Sequence, residues 1–448
     1  MTDDHDHAQP LLEVLERIPR PDTVAWRRSL AANATSLAAM GRSDEEADLE
    51  RRLAAVAWSS IAEPGDLDAG ELTASIGAVA GARLLFCVEP HAALRAALAA
   101  VGADGALSAI PGRLERAVDR WRPRADYGRV SANVHSGITT GARVVMPGDR
   151  DWPAGCDDLG AGRPHALWVR GDRGLADIGV GSLADRPAAL VGSRSCSPYG
   201  ERVSTEFADG LADRGSTIVS GGAYGIDVTA HRSALAGTHP TVAVLAGGAD
   251  RLYPAGNADT LRRIMRGGGA VIAELPCGTA PTRSRFLQRN RVIAAMSAAT
   301  IVVEAGYRSG ALNTAGHAGE LGRPLGAVPG SITTPTSVGC HRLIREFNAT
   351  LVAHLDHALE LVHGEIDAHP QLALPGLEVR TSGPNGIDGL DDDAVRVWEA
   401  LQPRRGQSAG DLARRAGLSE LAVRGALAAL ELDGRALGSS GSWRRAAG

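Results

Sequence analysis

The chain contains no lysine. All 47 basic side chains among its 448 residues are arginine, so any phosphate contact made by a charged side chain is a planar guanidinium fork. Basic charge is not in excess either: the formal net charge of −5 excludes a uniformly basic nucleic-acid coat and confines any anion site to one locality. Only five cysteines occur, Cys87, Cys156, Cys196, Cys277 and Cys340, scattered without C-x-x-C spacing. That pattern excludes a zinc site, suits a reducing cytosol and leads us to expect no metal. No apolar run approaches the roughly 18 to 20 residues of a membrane span. The amino terminus MTDDHDHAQP is acidic where a signal peptide would be basic. A soluble cytoplasmic protein is expected, with Asp3, Asp4, His5, Asp6 and His7 forming a tail rather than a metal site. Catalytic signatures are missing too. There is no Walker A motif, no G-x-S-x-G elbow and no nucleophile with a base beside it, so no catalytic residue is assigned and no cofactor is expected.

What is present is an alternation of short apolar runs with helical stretches. The run Pro187 to Val191 is too brief for a helix and reads as a buried parallel strand. Gly192, Ser193 and Arg194 follow it at once, and helical apolar spacing begins at Pro198 with Val203, Phe207 and Leu211. A turn between a strand's carboxyl end and a helix amino end presents free backbone N–H groups, a ready anion site. The text there, GSRSCS, is not the G-x-G-x-x-G of a dinucleotide site. Arg194 is then either a phosphate fork or the partner of a nearby acid.

The chain is long enough for two or three domains. Residues 1–44 read as a poorly ordered or weakly helical extension, broken by Pro19 and Pro21, and residues 45–130 as a small helical domain of packing or protein-contact role. Residues 131–362 form the central domain, 363–389 a Pro- and Gly-rich linker, and 390–448 a terminal helical module. In the central part, strands are predicted at 187–191, 217–220, 241–246, 270–274, 300–304 and 325–328, at spacings suited to βαβ units. Two further pieces, Arg143 to Met146 and Ala166 to Val169, are expected to add strands, with Trp152, Pro153 and Trp168 packing at that junction. The fold class is α/β, an open and mostly parallel doubly wound sheet covered on both faces. Ligands of such sheets collect at the carboxyl ends of the strands.

Several candidate residues fall at those ends. After the second strand comes SGGAYGID, where Ser220, Gly221, Gly222, Tyr224 and Gly225 allow close backbone approach to an anion. Gly247 and Gly248 follow the third strand. After the fourth, Arg283, Arg285, Arg289 and Arg291 fall within nine residues beside Asn290, with no acid among them. Such a cluster needs an anionic partner or open solvent. Phe286, Ile293 and Met296 are expected to face the sheet. Ser309, Gly310 and Asn313 follow the fifth strand. Asp227 and His231, spaced i, i+4, are expected to pair structurally at a helix start.

The ordered motifs VGSR, SGGAYGID, AGGADRLYP, RFLQRNRVIA, VVEAGYRSGALNTA and AVPG resemble the DprA/Smf family of DNA-processing proteins, over roughly residues 143–346. The resemblance implies an extended Rossmann-like domain that binds single-stranded DNA, dimerises and loads the recombinase RecA onto DNA taken up in natural transformation. Carried over by position, it points to Gly192, Ser193 and Arg194, to Ser220, Gly221 and Gly222, and to Arg289, Asn290 and Arg291. Two departures stand out. Tyr224 occupies a position where the family usually has Arg, leaving a ring able to stack on a base, and Leu287 replaces the usual Pro. Residues 390–448 resemble the winged helix of many such proteins, with three helices and a wing at Arg435 to Arg445. Its recognition helix offers only Arg424 against Glu420 and Glu431, so protein contact or weak DNA contact is expected rather than sequence reading.

The function expected is therefore a non-enzymatic single-stranded-DNA binder and recombination mediator of low sequence preference, because glycine amides and guanidinium groups on phosphates carry no base information. The alternative from another class is a small enzyme of the same broad fold acting on a nucleotide or nucleoside monophosphate. The P-G-G-x-G-T-x-x-E stretch of the lysine-decarboxylase-like group with that chemistry is absent.

Overall fold

A computed structural model describes residues 21–41, 45–101, 112–364, 390–403, 405–439 and 441–446. The acidic tail, the stretch Leu11 to Ile18 and residues 365–389 of the expected linker lie outside the described residues. The chain forms two compact units, one of Thr139–Arg380 and the other of Met1–Ile138 with Thr381–Gly448.

In the first unit, short β-branched and alanine-rich runs build one sheet of nine strands. They are β1 (Arg143–Val145), β2 (Leu167–Arg170), β3 (Ala188–Val191), β4 (Ile218–Ser220), β5 (Thr241–Leu245), β6 (Ala270–Ala273), β7 (Ala299–Val302), β8 (Leu325–Ala327) and β9 (Thr350–Leu351), in the spatial order β1-β2-β6-β5-β4-β3-β7-β8-β9. The pairs from β6 through to β9 are all parallel, and β1 and β2 add antiparallel strands at one edge. All six predicted strands and both edge pieces are present within two residues of their expected limits.

Because side chains alternate across a strand, Ala188 and Leu190 of β3 enter one core and Ala189 and Val191 the other. The first core is closed by Phe207 and Leu211 of the helix Pro198–Asp213, by Ile226 and Ala230 of the helix Ile226–Ala236, and by Leu361 of the helix Leu355–His363. The second is closed by Val292 to Met296 at the end of the helix Arg283–Ala295, by Ala315 of the helix Ala311–Glu320 and by Trp152. Fully buried Leu and Phe side chains such as these each contribute about 1.5–3 kcal/mol. Trp168, fully buried, lies on β2 as expected. Chain order reverses at β3, which lies between β4 and β7, and the turns after β3 and β7 flank that switch point.

The second unit holds two helical parts. The helix Pro21–Gly41 is not the weak, broken stretch expected, since Trp26, Leu30, Leu37 and Met40 are buried and the Trp26 indole donates to Glu50 Oε1 at 2.6 Å. Pro21 is its first residue, where the missing N–H costs no hydrogen bond. Trp58 and Trp121 meet edge to face at 5.3 Å, and Phe86 stacks on Tyr127 at 4.3 Å. The helix Tyr127–Thr140 runs past the expected boundary at 130, because Val130 and Val134 are buried one turn apart. Helices Asp392–Ala400, Ala409–Ala416 and Glu420–Leu432, with strands Gln407–Ser408, Ala436–Ser439 and Ser442–Arg445, form the winged-helix-like part. Each helix is capped as its sequence suggests, with the side chains of Asp391, Ser408 and Ser419 accepting backbone N–H groups of the first turn.

Candidate nucleic-acid interface

The turn after β3 is close-packed before it is anything else. A Cβ on Gly192 would stand 2.6 Å from Ile226 Cγ1 and 2.8 Å from the Glu304 carbonyl, so only glycine fits. The amide of Ser193 donates to that same carbonyl at 2.7 Å, and its hydroxyl is tied to the backbone of Ser195. The helix start that follows already holds an anion. Glu304, 2 % exposed, accepts from the Ser197 amide at 2.9 Å, the Ser197 hydroxyl at 2.6 Å and the Thr336 hydroxyl at 3.2 Å. The amides of Ser193 and Ser197 are thus committed to an internal carbonyl and carboxylate. What leaves this turn for solvent is the exposed Arg194 side chain, which has no carboxylate within 4 Å among the described residues.

The second turn repeats the device. Ser220 is fully buried and its hydroxyl donates to the Leu190 carbonyl, so its side chain is not part of any open surface. Asp227 is buried and accepts from the Ala223 amide at 3.3 Å, which again fills the glycine-rich loop from within. Burial pushes the Asp227 carboxyl above its ordinary range, opposed by Arg289 and by the amides of Ala223 and Gly221. Gly222 and Gly225 have φ of 68° and 76°, and a Cβ on Gly225 would lie 2.2 Å from the Ser193 carbonyl oxygen. That contact is what brings the first two turns together. Tyr224 stands out of the loop, half exposed, with its ring against Gly256.

Asp227 and His231 do not pair. His231 is fully buried with Nδ1 at 2.8 Å from Thr241 Oγ1, and burial together with the Arg289 charge lowers its pKa to about 3. The imidazole is therefore neutral, and the expected helix-start pair is replaced by a tie to the neighbouring strand.

Gly247 and Gly248 are buried against the 276–281 loop, where a Cβ would meet the Thr279 and Pro276 carbonyls at 2.7 and 2.5 Å. They pack the wall of the 276–281 loop. On the helix Arg283–Ala295 the arginines divide. Arg283 is exposed, and Arg285 donates to the Ala280 carbonyl at 2.9 Å. Arg291 is locked in a bidentate bridge with Glu274 at 2.8 and 2.6 Å, both side chains largely buried. Arg289, 7 % exposed, donates to the carbonyls of Gly221 and Val244 and to Asn290 Oδ1, with no carboxylate within 4 Å. Burial lowers its pKa to about 10, opposed by Asp227 and reinforced by Arg194. Asn290 donates to Asn313 Oδ1 at 3.1 Å and to the Gly310 carbonyl at 3.3 Å, which ties this helix to the turn after β7. There Ser309 caps Ala311, and a Cβ on the exposed Gly310 would meet open space.

Phe286 corrects the expected facing. Ile293 and Met296 are in the core, but the Phe286 ring lies 5.2 Å from the Arg194 guanidinium, 5.8 Å from that of Arg289 and 5.9 Å from the ring of Tyr253. Tyr253 is half exposed. Neither ring was singled out from sequence as a contact residue, although an aromatic in a strand-end turn beside an arginine cluster is a usable signal for a stacking surface.

A sequence model of DNA recombination-mediator protein A matches residues 143–363, and one of the DprA winged helix domain matches residues 383–442. The putative DNA processing protein DprA of Mycobacterium tuberculosis (strain CDC 1551 / Oshkosh) is 42% identical over 331 residues, covering 72% of this chain and 81% of that protein. The chain belongs to the DprA/Smf family. Other DprA/Smf relatives match over less of their length: protein Smf of Escherichia coli (strain K12) is 41% identical over 197 residues, 44% of this chain and 50% of that protein. Among solved structures, DNA processing protein A of Streptococcus pneumoniae superposes with a TM-score of 0.51 at 27% identity, over 69% of this chain and 96% of that chain. Within this DprA/Smf chain the geometry brings Arg194, Arg289, Phe286 and Tyr253 to one place and joins the loop of Tyr224 to it through Gly225. Ser220, Gly247, Gly248 and Arg291 serve the frame instead.

Proposed function

We propose that this chain is a single-stranded-DNA-binding recombination mediator, with the strand-end crevice as its DNA site. The observation that carries the reading is that two guanidinium groups lacking an acidic partner within 4 Å, Arg194 and Arg289, both lie against the Phe286 ring. Arg194 meets phosphate, and Arg289 holds the Gly221 and Val244 carbonyls while supplying positive charge to the floor. Half-exposed Tyr224 and Tyr253 offer faces on which bases stack, at about 1–3 kcal/mol per base. Contacts of this kind read no sequence. Arg283, Arg285, Ser309, Gly310 and Asn313 extend or support the same rim.

The finer reading follows the family. The sheet order supports an extended Rossmann-like domain over residues 131–362, flanked by a helical domain, a linker and a winged helix. The protein acts in the cytoplasm as a homodimer without catalysing a reaction, and it hands its single strand to RecA in DNA processing of the kind used in natural transformation. Fluorescence titration against single- and double-stranded oligonucleotides of mixed sequence, with nucleotide hydrolysis assayed alongside, tests this. Tight single-strand binding of low sequence preference without hydrolysis is expected. Turnover of a free nucleotide with no affinity for single strands would overturn it.

A further inference from the structure

The amino-terminal helical part and the winged helix lie at opposite ends of the sequence, yet they share one compact unit. Among the described residues, a buried cation joins them. Arg124 ends the 3-10 turn Arg122–Arg124 and is 3 % exposed. Its Nη1 donates to the Ile61 carbonyl at 2.9 Å and its Nη2 pairs with Glu63 Oε1 at 2.5 Å, both in the helical part. Its Nε donates at 2.9 Å to the carbonyl of Arg414, in the last turn of the helix Ala409–Ala416 and 290 positions along the chain. The last carbonyls of a helix lack intrahelical donors and carry the negative end of its dipole, so a guanidinium is the natural cap for them.

We infer that the helical part is a built receptor for this chain's own winged helix, with Arg124 as the latch that seats the carboxyl end of the helix Ala409–Ala416. The winged-helix side is shaped to match. Gly417 ends that helix with φ of 71°, and a Cβ there would also lie 2.7 Å from Arg124 Nη1 and 3.1 Å from Glu63 Cγ. Position 417 therefore needs glycine for its backbone and again for the approach of the guanidinium. The docked face is not the recognition face. On the helix Glu420–Leu432, Leu421 and Leu432 remain 81% and 89% exposed, and Arg424 is exposed as well. The recognition helix is presented from a fixed platform, and a ligand of that helix meets the two parts as one body.

The test is a pulsed electron-spin distance measurement on the full chain, with labels at Leu67→Cys and Leu432→Cys, both exposed positions. The half-buried Cys87 and Cys196 are changed to Ser, and the three buried cysteines are left in place. The wild-type latch should give one narrow distance distribution, and Arg124→Ala should lose that narrow peak. Since Arg124 also ties Ile61 and Glu63, Gly417→Asn serves as the second variant. Asn tolerates the left-handed backbone and thrusts a side chain at the latch while leaving the helical part intact, so it should lose the narrow peak with wild-type far-ultraviolet circular dichroism. A broad distribution in the wild-type chain, or a narrow wild-type peak retained in folded Gly417→Asn, would overturn the latch.

Discussion

Arg194 and Arg289 of the strand-end crevice and Arg414, Arg424 and Arg435 of the winged helix are used in opposite ways. In the winged helix Arg414 pairs with Asp411, Arg424 lies 3.9 Å from Glu420 and Arg435 lies 3.7 Å from Asp433, all three pairs including a well-exposed partner. Exposed pairs of this kind contribute little to stability and leave little net charge for a phosphate. In the crevice Arg194 and Arg289 have no acid within 4 Å among the described residues, and both lie against the Phe286 ring. Total charge is thus a poor guide to the proposed nucleic-acid site. The distance from guanidinium to nearest carboxylate separates these two sets of arginines.

The same contrast holds within one helix, between Arg289 and Arg291, and breaking it gives the largest effect. Arg291→Ala leaves Glu274 buried without its partner and should cost about 3–5 kcal/mol of unfolding free energy in urea. Its folded fraction should bind single strands with an unchanged salt dependence. A shallower salt slope would place Arg291 among the phosphate contacts.

Acid should separate the two regions next. His231, neutral in the folded state with a pKa of about 3, is protonated near pH 6.5 once unfolded. Its stabilisation is complete above that value and is lost as pH falls, by about 2 kcal/mol between pH 6.5 and 5. Asp227, with its carboxyl raised by burial, works in the opposite sense. The difference in urea unfolding between wild type and His231→Gln isolates the imidazole. Equal pH dependence in both proteins would contradict a neutral buried His231.

For binding, Tyr253→Ala should weaken single-strand affinity by about 1–3 kcal/mol, and the deficit should vanish on abasic oligonucleotide. The same deficit with abasic DNA would exclude stacking. Arg194→Ala, at an exposed position, should leave thermal unfolding unchanged and make the slope of log K against log salt shallower by about 0.7, equally for all sequences. Wild-type affinity and slope would remove Arg194 from the site. The smallest effect should come from the winged helix, where Arg424→Ala is expected to change single-strand affinity by less than about 0.5 kcal/mol, as befits an exposed, paired side chain. A loss as large as that of Arg194→Ala would erase the contrast between the regions.

Much of this was legible from residues alone. Strand positions, the turn glycines, the arginine cluster and the family all follow from local periodicity and motif order. Helix Pro21–Gly41 was not, because its buried residues at 26, 30, 37 and 40 are spread among small and polar ones and acquire their role from partners such as Glu50. Phe286 was misread for a related reason. The periodicity of its helix admits several apolar faces, and the positions of Arg194 and Tyr253 decide which one Phe286 joins.

By itself the sequence determined the parallel sheet and pointed the candidate site to its carboxyl edge, since short apolar runs and βαβ spacing are properties of neighbouring residues. Only the tertiary structure decided which polar groups there remain available. Glu304 reaches the Ser197 amide across 107 positions, Glu274 takes Arg291 across 17, and Arg289 holds the Gly221 carbonyl across 68. Hydrogen bonding and Coulomb attraction act over a few ångströms of space whatever the separation along the chain. Motif spacing can therefore name the arginines and glycines of this crevice, but only the folded chain determines which of them have already been satisfied.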